Sequence, residues 1–269
     1  MSGVAAAHEA VTAATESLAA AGCETPRLDA EVLVAAAAGV PRLSLLGGLE
    51  VELDPEASRK VMEWVRRRVR REPVAYIVGR KAFRRLDLEV EPGVLIPRPE
   101  TELLVEVAVE LAEPGARVHD VGTGSGAVAL AVSDERPGLT VSASDRAGAA
   151  VYVAQRNAAR LGLPVEVTCV TGLPPGSYDL VVANLPYVRE DEWDGLAPEI
   201  REYEPRDALV AGEDGLDEIR ALVAQVPEGT LLALEHAPAQ AESVRGMLAD
   251  AKTREDLAGR ERVTFGRVA

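Results

Sequence analysis

The chain is poor in the residues that build disulfide frameworks and metal centres. Its 269 residues include two cysteines, Cys23 and Cys169, and three histidines, His8, His119 and His236. The cysteines form no CxxC pair and the histidines have no metal-ligand spacing. That argues against a disulfide scaffold and a metal site, and it suits a reducing compartment. Long apolar runs are missing too, and no stretch approaches the ~18 residues of a membrane span. The first twenty residues are alanine-rich but carry His8, Glu9 and Glu16, without the basic start and apolar core of a signal peptide. A cytoplasmic protein with no membrane association is expected. Positive charge is scarce: 29 Lys and Arg face 44 Asp and Glu, a net charge of -15. A broad nucleic-acid footprint needs a positive face to displace counterions, so no direct nucleic-acid binding is expected. The local exception is Arg66-Arg67-Arg68-Val69-Arg70-Arg71. It reads either as a solvated helix face or as a docking patch for an acidic partner or RNA phosphates.

What is present divides into three stretches. Residues 1–79 read as a small helical domain, with strong helix formers over 5–20 and apolar residues at helical spacing over 28–38. Asp54-Pro55-Glu56 is a helix start, Asp at the cap and Pro in the first turn, and Pro73 closes the segment it opens. Residues 80–97 read as a β-hairpin linker. There 82–90 alternates apolar and polar, Pro92-Gly93 turns, and Val94-Leu95-Ile96 returns. Residues 98–269 alternate helix and strand. Strands are expected over 117–121, 140–144, 165–170, 179–183, 230–235 and 262–267. Helices are expected over 102–111, 127–135, up to 161, 219–226 and 239–249. That pattern predicts an α/β, Rossmann-like domain with a mostly parallel sheet covered on both faces.

Two strand ends carry the chemistry. Asp120-Val121-Gly122-Thr123-Gly124-Ser125-Gly126 is a strand running into a glycine loop that opens a helix. The spacing is GxGxG, not the GxGxxG of dinucleotide folds. In enzymes that use S-adenosylmethionine (SAM), such a loop lies under the methionine part and the ribose. Asp145, at the end of the next strand, suits the ribose hydroxyls. A nicotinamide site or a plain glycine turn remains the alternative for this half alone. The second strand end is Val181-Val182-Ala183-Asn184-Leu185-Pro186-Tyr187. The Asn184 side-chain carbonyl and the Leu185 backbone carbonyl can accept both hydrogens of a planar NH2 group. Pro186 restricts Leu185 to extended conformations, and Tyr187 can stack on a flat acceptor. Methyl transfer from a cationic donor needs little beyond such alignment.

With these two halves in place, the chain resembles the release factor glutamine methyltransferases, the HemK-like family, over nearly its whole length. The resemblance rests on Arg71-Glu72-Pro73-Val74-Ala75-Tyr76-Ile77-Val78-Gly79 and on Pro92-Gly93-Val94-Leu95-Ile96-Pro97-Arg98-Pro99-Glu100-Thr101-Glu102. Glu204-Pro205-Arg206, Gly212-Glu213-Asp214-Gly215-Leu216 and Gly259-Arg260-Glu261-Arg262-Val263 add to it. It implies a SAM-dependent enzyme that methylates N5 of the glutamine in the Gly-Gly-Gln loop of peptide chain release factors. By the same resemblance the helical domain docks the release factor. Asp120, Gly122, Thr123, Gly124, Ser125, Gly126, Asp145, Leu173 and Asn184 hold SAM, and Asn184, Leu185, Pro186 and Tyr187 hold the glutamine. A monomer without metal is expected. Arg98 and Glu100 are weighed as contacts near the site and, equally, as parts of a stiff interdomain elbow.

Three departures from the family stand out. Leu185 replaces the usual proline, a change that Asn-Leu-Pro-Tyr shares with rRNA adenine dimethyltransferases. Gly172 stands where an acidic residue commonly holds the adenine amino group. The segment between residues 249 and 256 reads as shortened, with one late strand reduced. The alternatives carried forward are an N6-adenine methyltransferase and a paralogue acting on another protein or a small amide.

Overall fold

Small residues at helical spacing build the first of two units. The computed structural model describes residues 5–47 and 51–269, and residues 1–4 and 48–50 of the expected helical domain lie outside the described residues. Helices α1 (Ala7–Ala20), α2 (Pro26–Ala38), α3 (Arg42–Leu46), α4 (Pro55–Val69) and α5 (Val74–Val78) follow one another, and β1 (Ala5–Ala6) pairs with β2 (Glu52–Leu53). Ala7, Val11, Ala14 and Leu18 recur at intervals of four or three and bury one face of α1. They pack into a core with Leu33, Val61, Trp64 and Ile77. Asp54 caps α4 by accepting from the backbone N–H of Ala57 at 2.7 Å, as its sequence context predicts.

The arginine run ends α4 and is neither a plain solvated face nor a wholly free docking patch. Arg68 is buried and donates to Asp29 at 2.7 Å, and it pairs with Glu199 at 2.9 Å. Arg71 forks onto Glu199 at 2.8 and 2.7 Å, and Arg67 forks onto Glu72. Three of the five arginines are thus held inside the unit. Glu199 lies in the segment Ala197–Tyr203, which clusters with residues 1–79. The chain therefore passes between the two units three times.

The second unit opens with a hairpin of β3 (Arg80–Phe83) and β4 (Leu86–Glu89). Its turn is at Arg84-Arg85, so both strands lie within 80–89, and Val94-Leu95-Ile96 is not the returning strand. The turn lacks the usual Gly or Asn signal. Arg84 adopts a φ of 52°, held by Glu102 through its backbone N–H and by Glu135 and Glu106 through its guanidinium.

Then come α6 (Glu102–Leu111), β5 (Arg117–Val121), α7 (Ala127–Glu135), β6 (Thr140–Asp145), α8 (Gly148–Leu161), β7 (Glu166–Cys169), β8 (Leu180–Ala183), α9 (Pro198–Tyr203, grouped with the first unit), α10 (Asp217–Val223), β9 (Leu231–Glu235), α11 (Ala241–Arg245), β10 (Leu248–Glu255) and β11 (Glu261–Val268). The sheet order is β10-β11-β9-β8-β5-β6-β7. Strands β9, β8, β5, β6 and β7 are parallel, and β11 and β10 add antiparallel at one edge. Alternation along β8 shows why both faces are covered. Leu180 and Val182 join a core with Leu104, Val128 and Leu130, whereas Val181 and Ala183 join one with Ile219, Leu222 and Leu234.

The late strand is not reduced: β10 spans eight residues and pairs with β11 from Leu248↔Val268 to Glu255↔Glu261. Its charged residues suit an edge strand and hid it from hydrophobic patterning. The helix expected over 239–249 is correspondingly short.

Candidate active site

Parallel strands deliver their C-terminal ends to one edge of the sheet, where open α/β folds bind ligands. A cleft of about 500 Å³ opens there, within the size range of small-molecule sites. The ends of β5, β6 and β8 bring Asp120, Gly122, Thr123, Gly124, Ser125, Asp145, Asn184, Leu185 and Pro186 to its wall. Gly126, Leu173 and Tyr187 are not on that wall. Gly126 is the residue before α7, Leu173 packs toward one core, and Tyr187 is turned inward.

Hydrogen bonds to carboxylates shape the glycine loop. Asp120 is buried and accepts from the Thr123 hydroxyl at 2.6 Å and the Ala129 N–H at 3.2 Å. Burial raises its pKa to about 6 against the opposing effect of those two bonds. Asp145 accepts the Gly124 N–H on one oxygen and the Ala147 N–H on the other, both at 2.9 Å. Each oxygen keeps a lone pair for a further donor such as a ribose hydroxyl. The loop also touches the acceptor strand end, since a Cβ on Gly122 would come within 2.9 Å of Leu185 Cδ2.

Two observations fit SAM to this wall. The Ser125 hydroxyl is buried with no partner among the described residues, and buried polar atoms of folded proteins normally have one. Nothing lies within 4 Å of the place a Gly124 Cβ would take, which leaves room for close approach.

On the acceptor side, Asn184 Nδ2 donates to Thr101 Oγ1 at 2.8 Å. The Thr101 hydroxyl also interacts with the carboxyl group of Glu235. With its proton turned to Glu235, Thr101 presents a lone pair to Asn184. That fixes the Asn184 amide with Nδ2 committed, leaving Oδ1 as an acceptor. Glu235 is fully buried, accepts from the Tyr187 hydroxyl at 3.3 Å, and has no partner for Oε2 among the described residues. Burial raises it to about 7, against the bonds from Thr101 and Tyr187. Tyr187 is itself raised, by burial and then by the Glu235 charge. The backbone carbonyl of Tyr187 accepts from Gln240 Nε2 at 2.9 Å.

Arg98 lines the cleft and pairs at 2.5 Å with buried Glu204, which also accepts the Ile96 N–H. Glu100 lies 3.9 Å from Arg260. His119 bridges Ser142 and Ser144 against the ring of Tyr178, and burial lowers it to about 4. His236 bonds Thr264 and the Ala237 carbonyl, away from the cleft wall. Among the described residues no cluster of His, Cys, Asp and Glu could hold a metal.

Residues 9–79 match the model of the PrmC N-terminal domain, and residues 99–200 match that of the methyltransferase small domain. A release factor glutamine methyltransferase of Pseudomonas aeruginosa is 46% identical over 90% of this chain and 93% of its own. One from Geobacter sulfurreducens is 40% identical over 93% of both chains. The chain belongs to the release factor glutamine methyltransferase family. The hMettl16 catalytic domain, solved with the MAT2A 3'UTR hairpin 6, shares the fold at a TM-score of 0.53 and 14% identity, covering 66% of this chain and 74% of its own. The protein is accordingly a SAM-dependent methyltransferase with a Rossmann-like domain.

Thr101, Glu235, Gln240 and Glu204 were not assigned to the site from sequence. Thr101 precedes α6 at its N-cap but makes no side-chain capping bond there, which leaves its hydroxyl for Asn184 and Glu235. The one signal for Glu235 was its place at a strand end beside His236.

Proposed function

We propose that this protein transfers a methyl group from SAM to the side-chain amide nitrogen, N5, of the glutamine in the Gly-Gly-Gln loop of a peptide chain release factor. The observation that carries the reading is the fixed orientation of Asn184. Its Oδ1 and the backbone carbonyl of the next residue, Leu185, both on residues that line the cleft, can accept the two hydrogens of a carboxamide NH2. When bound, SAM would supply a methyl group on a sulfonium centre: as the amide nitrogen takes the methyl, the S–CH3 bond breaks to leave S-adenosylhomocysteine, and the nitrogen gives up one N–H proton to solvent. The protein's own contribution is alignment. Asp145 and the glycine loop hold the donor, and Asn184 and Leu185 aim the nitrogen, while Tyr187, turned inward and bonded to Glu235, braces the strand end from behind. Alignment of this kind removes most of the entropy of a bimolecular step. The helical residues 1–79 serve as the docking domain for the release factor. The enzyme works as a cytoplasmic monomer without binding nucleic acid directly.

The deciding experiment is methyl transfer from labelled SAM to a purified release factor, with mass spectrometry locating the label. A label on the Gly-Gly-Gln glutamine, absent when that glutamine is replaced, is the expected result. Label on nucleic acid alone would overturn the reading.

A further inference from the structure

The sheet order sets the order of subsites along the cleft. The glycine loop follows β5, Asp145 ends β6, and Val170, Thr171 and Gly172 follow β7. A nucleoside whose ribose sits at Asp145 therefore directs its base toward the loop after β7. That end of the cleft is completed by Ala221, Leu222 and Gln225. Ala221 and Leu222 give it an apolar side. Its polar side lacks the acid usual at position 172.

The space for a side chain at position 172 is already taken. A Cβ on Gly172 would stand 2.1 Å from Oε1 of Gln225 and 2.8 Å from its Nε2. The Gln225 carboxamide thus lies over Gly172, in the place a side chain there would enter. The side chain is exposed, and both ends of its carboxamide are hydrogen-bonded. Oε1 accepts the Leu173 N–H at 3.0 Å, and Nε2 donates to the Ala221 carbonyl at 3.0 Å. A carboxamide has two acceptor sites and two N–H donors. Once those bonds are made, one of each remains, on fixed atoms. An adenine edge presents the matching pair, the N6 amino donor beside a ring-nitrogen acceptor.

We propose that Gln225 reads the adenine of SAM and so replaces the acidic side chain that position 172 lacks. This rests on the SAM reading of the cleft. It also predicts a specificity. Hypoxanthine carries an oxo group and a protonated N1 on the same edge, the reverse of adenine. A carboxamide free to flip would accept either base, whereas Gln225 is pinned by Leu173 and Ala221.

The test is calorimetric binding of S-adenosylhomocysteine (SAH) and S-inosylhomocysteine, which requires no turnover. The wild-type protein should favour SAH by at least about tenfold, the scale of one mismatched hydrogen-bonding edge in a half-open site. Gln225→Ala should weaken SAH about 5- to 30-fold and bring the two affinities within about threefold. Because Gln225 also pins the Leu173 backbone, loss of SAH affinity alone could reflect a loosened loop. The ratio between the two ligands reads the base edge itself. A wild-type protein that binds both ligands equally, or a Gln225→Ala variant that keeps the wild-type ratio, overturns the inference and leaves the SAM site standing. Failure of the wild-type protein to bind SAH at all would overturn both.

Discussion

Asn184 has one side-chain acceptor, Oδ1, and Thr101 decides which way it points. Removing the Thr101 hydroxyl frees the amide to flip, which would turn an N–H toward the incoming nitrogen. Thr101→Val is therefore expected to lower kcat about 10- to 100-fold with SAH affinity unchanged, and Thr101→Ser to restore it. Asn184→Ala removes the acceptor itself and should cost about 100- to 1000-fold in kcat. Near-full turnover in that variant, measured with labelled SAM, would remove Asn184 from the mechanism. Glu235 anchors the same network at a cost to stability. Its folded-state pKa is raised to about 7 by burial. Below pH 4.5 the group is protonated both folded and unfolded. Between pH 4.5 and 7 the folded state holds a proton that the unfolded chain has released, so stability falls as pH rises, reaching a penalty of about 3 kcal/mol above pH 7. Glu235→Gln should remove that slope. In chemical denaturation the variant should gain on the wild type from pH 5 to pH 8, and a constant difference between the two would contradict the assignment.

The loop after β8 owes its shape to a partner segment far along the chain. Val188 bridges to Val210, the Ala211 N–H donates to the Val188 carbonyl, and the Glu190 N–H donates to the Gly212 carbonyl. Gly215 completes the seam. Its φ is 73°, and a Cβ there would stand 2.2 Å from the backbone oxygen of Tyr187. A side chain cannot be accommodated by a rotamer change, because the obstacle is backbone. Gly215→Ala is expected to displace Tyr187 and its bond from Gln240, lowering kcat at least about tenfold and stability by about 2 kcal/mol. Wild-type kcat and melting temperature in that variant would show that the seam yields. The same seam marks what was readable in the sequence. Strand β5 and helix α7 were legible to the residue, because a buried apolar run meets glycines and then alanines. The seam partners Gly212 to Leu216 registered only as a resemblance, since pairing across some 25 residues leaves no periodic trace. The hairpin of β3 and β4 was misplaced for a related reason. Three carboxylates hold Arg84 in a left-handed turn, and nothing local to Arg84-Arg85 announces it. Glu235 was the hardest to read, because one acid at a strand end looks the same whether it faces water or a threonine and a tyrosine.

Electrostatics treats the two units oppositely. Lys60, Lys81 and Lys252 are the only lysines, so 26 of the 29 basic residues are arginine, whose planar fork suits paired carboxylates. In the first unit that pairing is internal. Burial alone would raise the Glu199 carboxyl, but the bonds from Arg71 and Arg68 hold it below its ordinary value. A carboxylate depressed in this way contributes stability that is present above its unfolded pKa and lost as pH falls through the folded one. Acid should therefore loosen the helical unit while it relieves Glu235 in the other. Trp64 lies buried in the first unit and Trp193 lies in the second, so in a Trp193→Phe background Trp64 emission reports the helical unit alone. Glu199→Ala leaves Arg71 without this carboxylate and Arg68 with Asp29 only. It should lower the stability of the helical unit by about 3 kcal/mol and flatten its acid dependence below pH 4.5. SAH affinity should stay within about twofold, because every residue lining the cleft belongs to the second unit. A parallel loss of SAH affinity and Trp64 signal would instead mean that the two units unfold as a single cooperative block, joined through the three chain crossings that Ala197–Tyr203 creates.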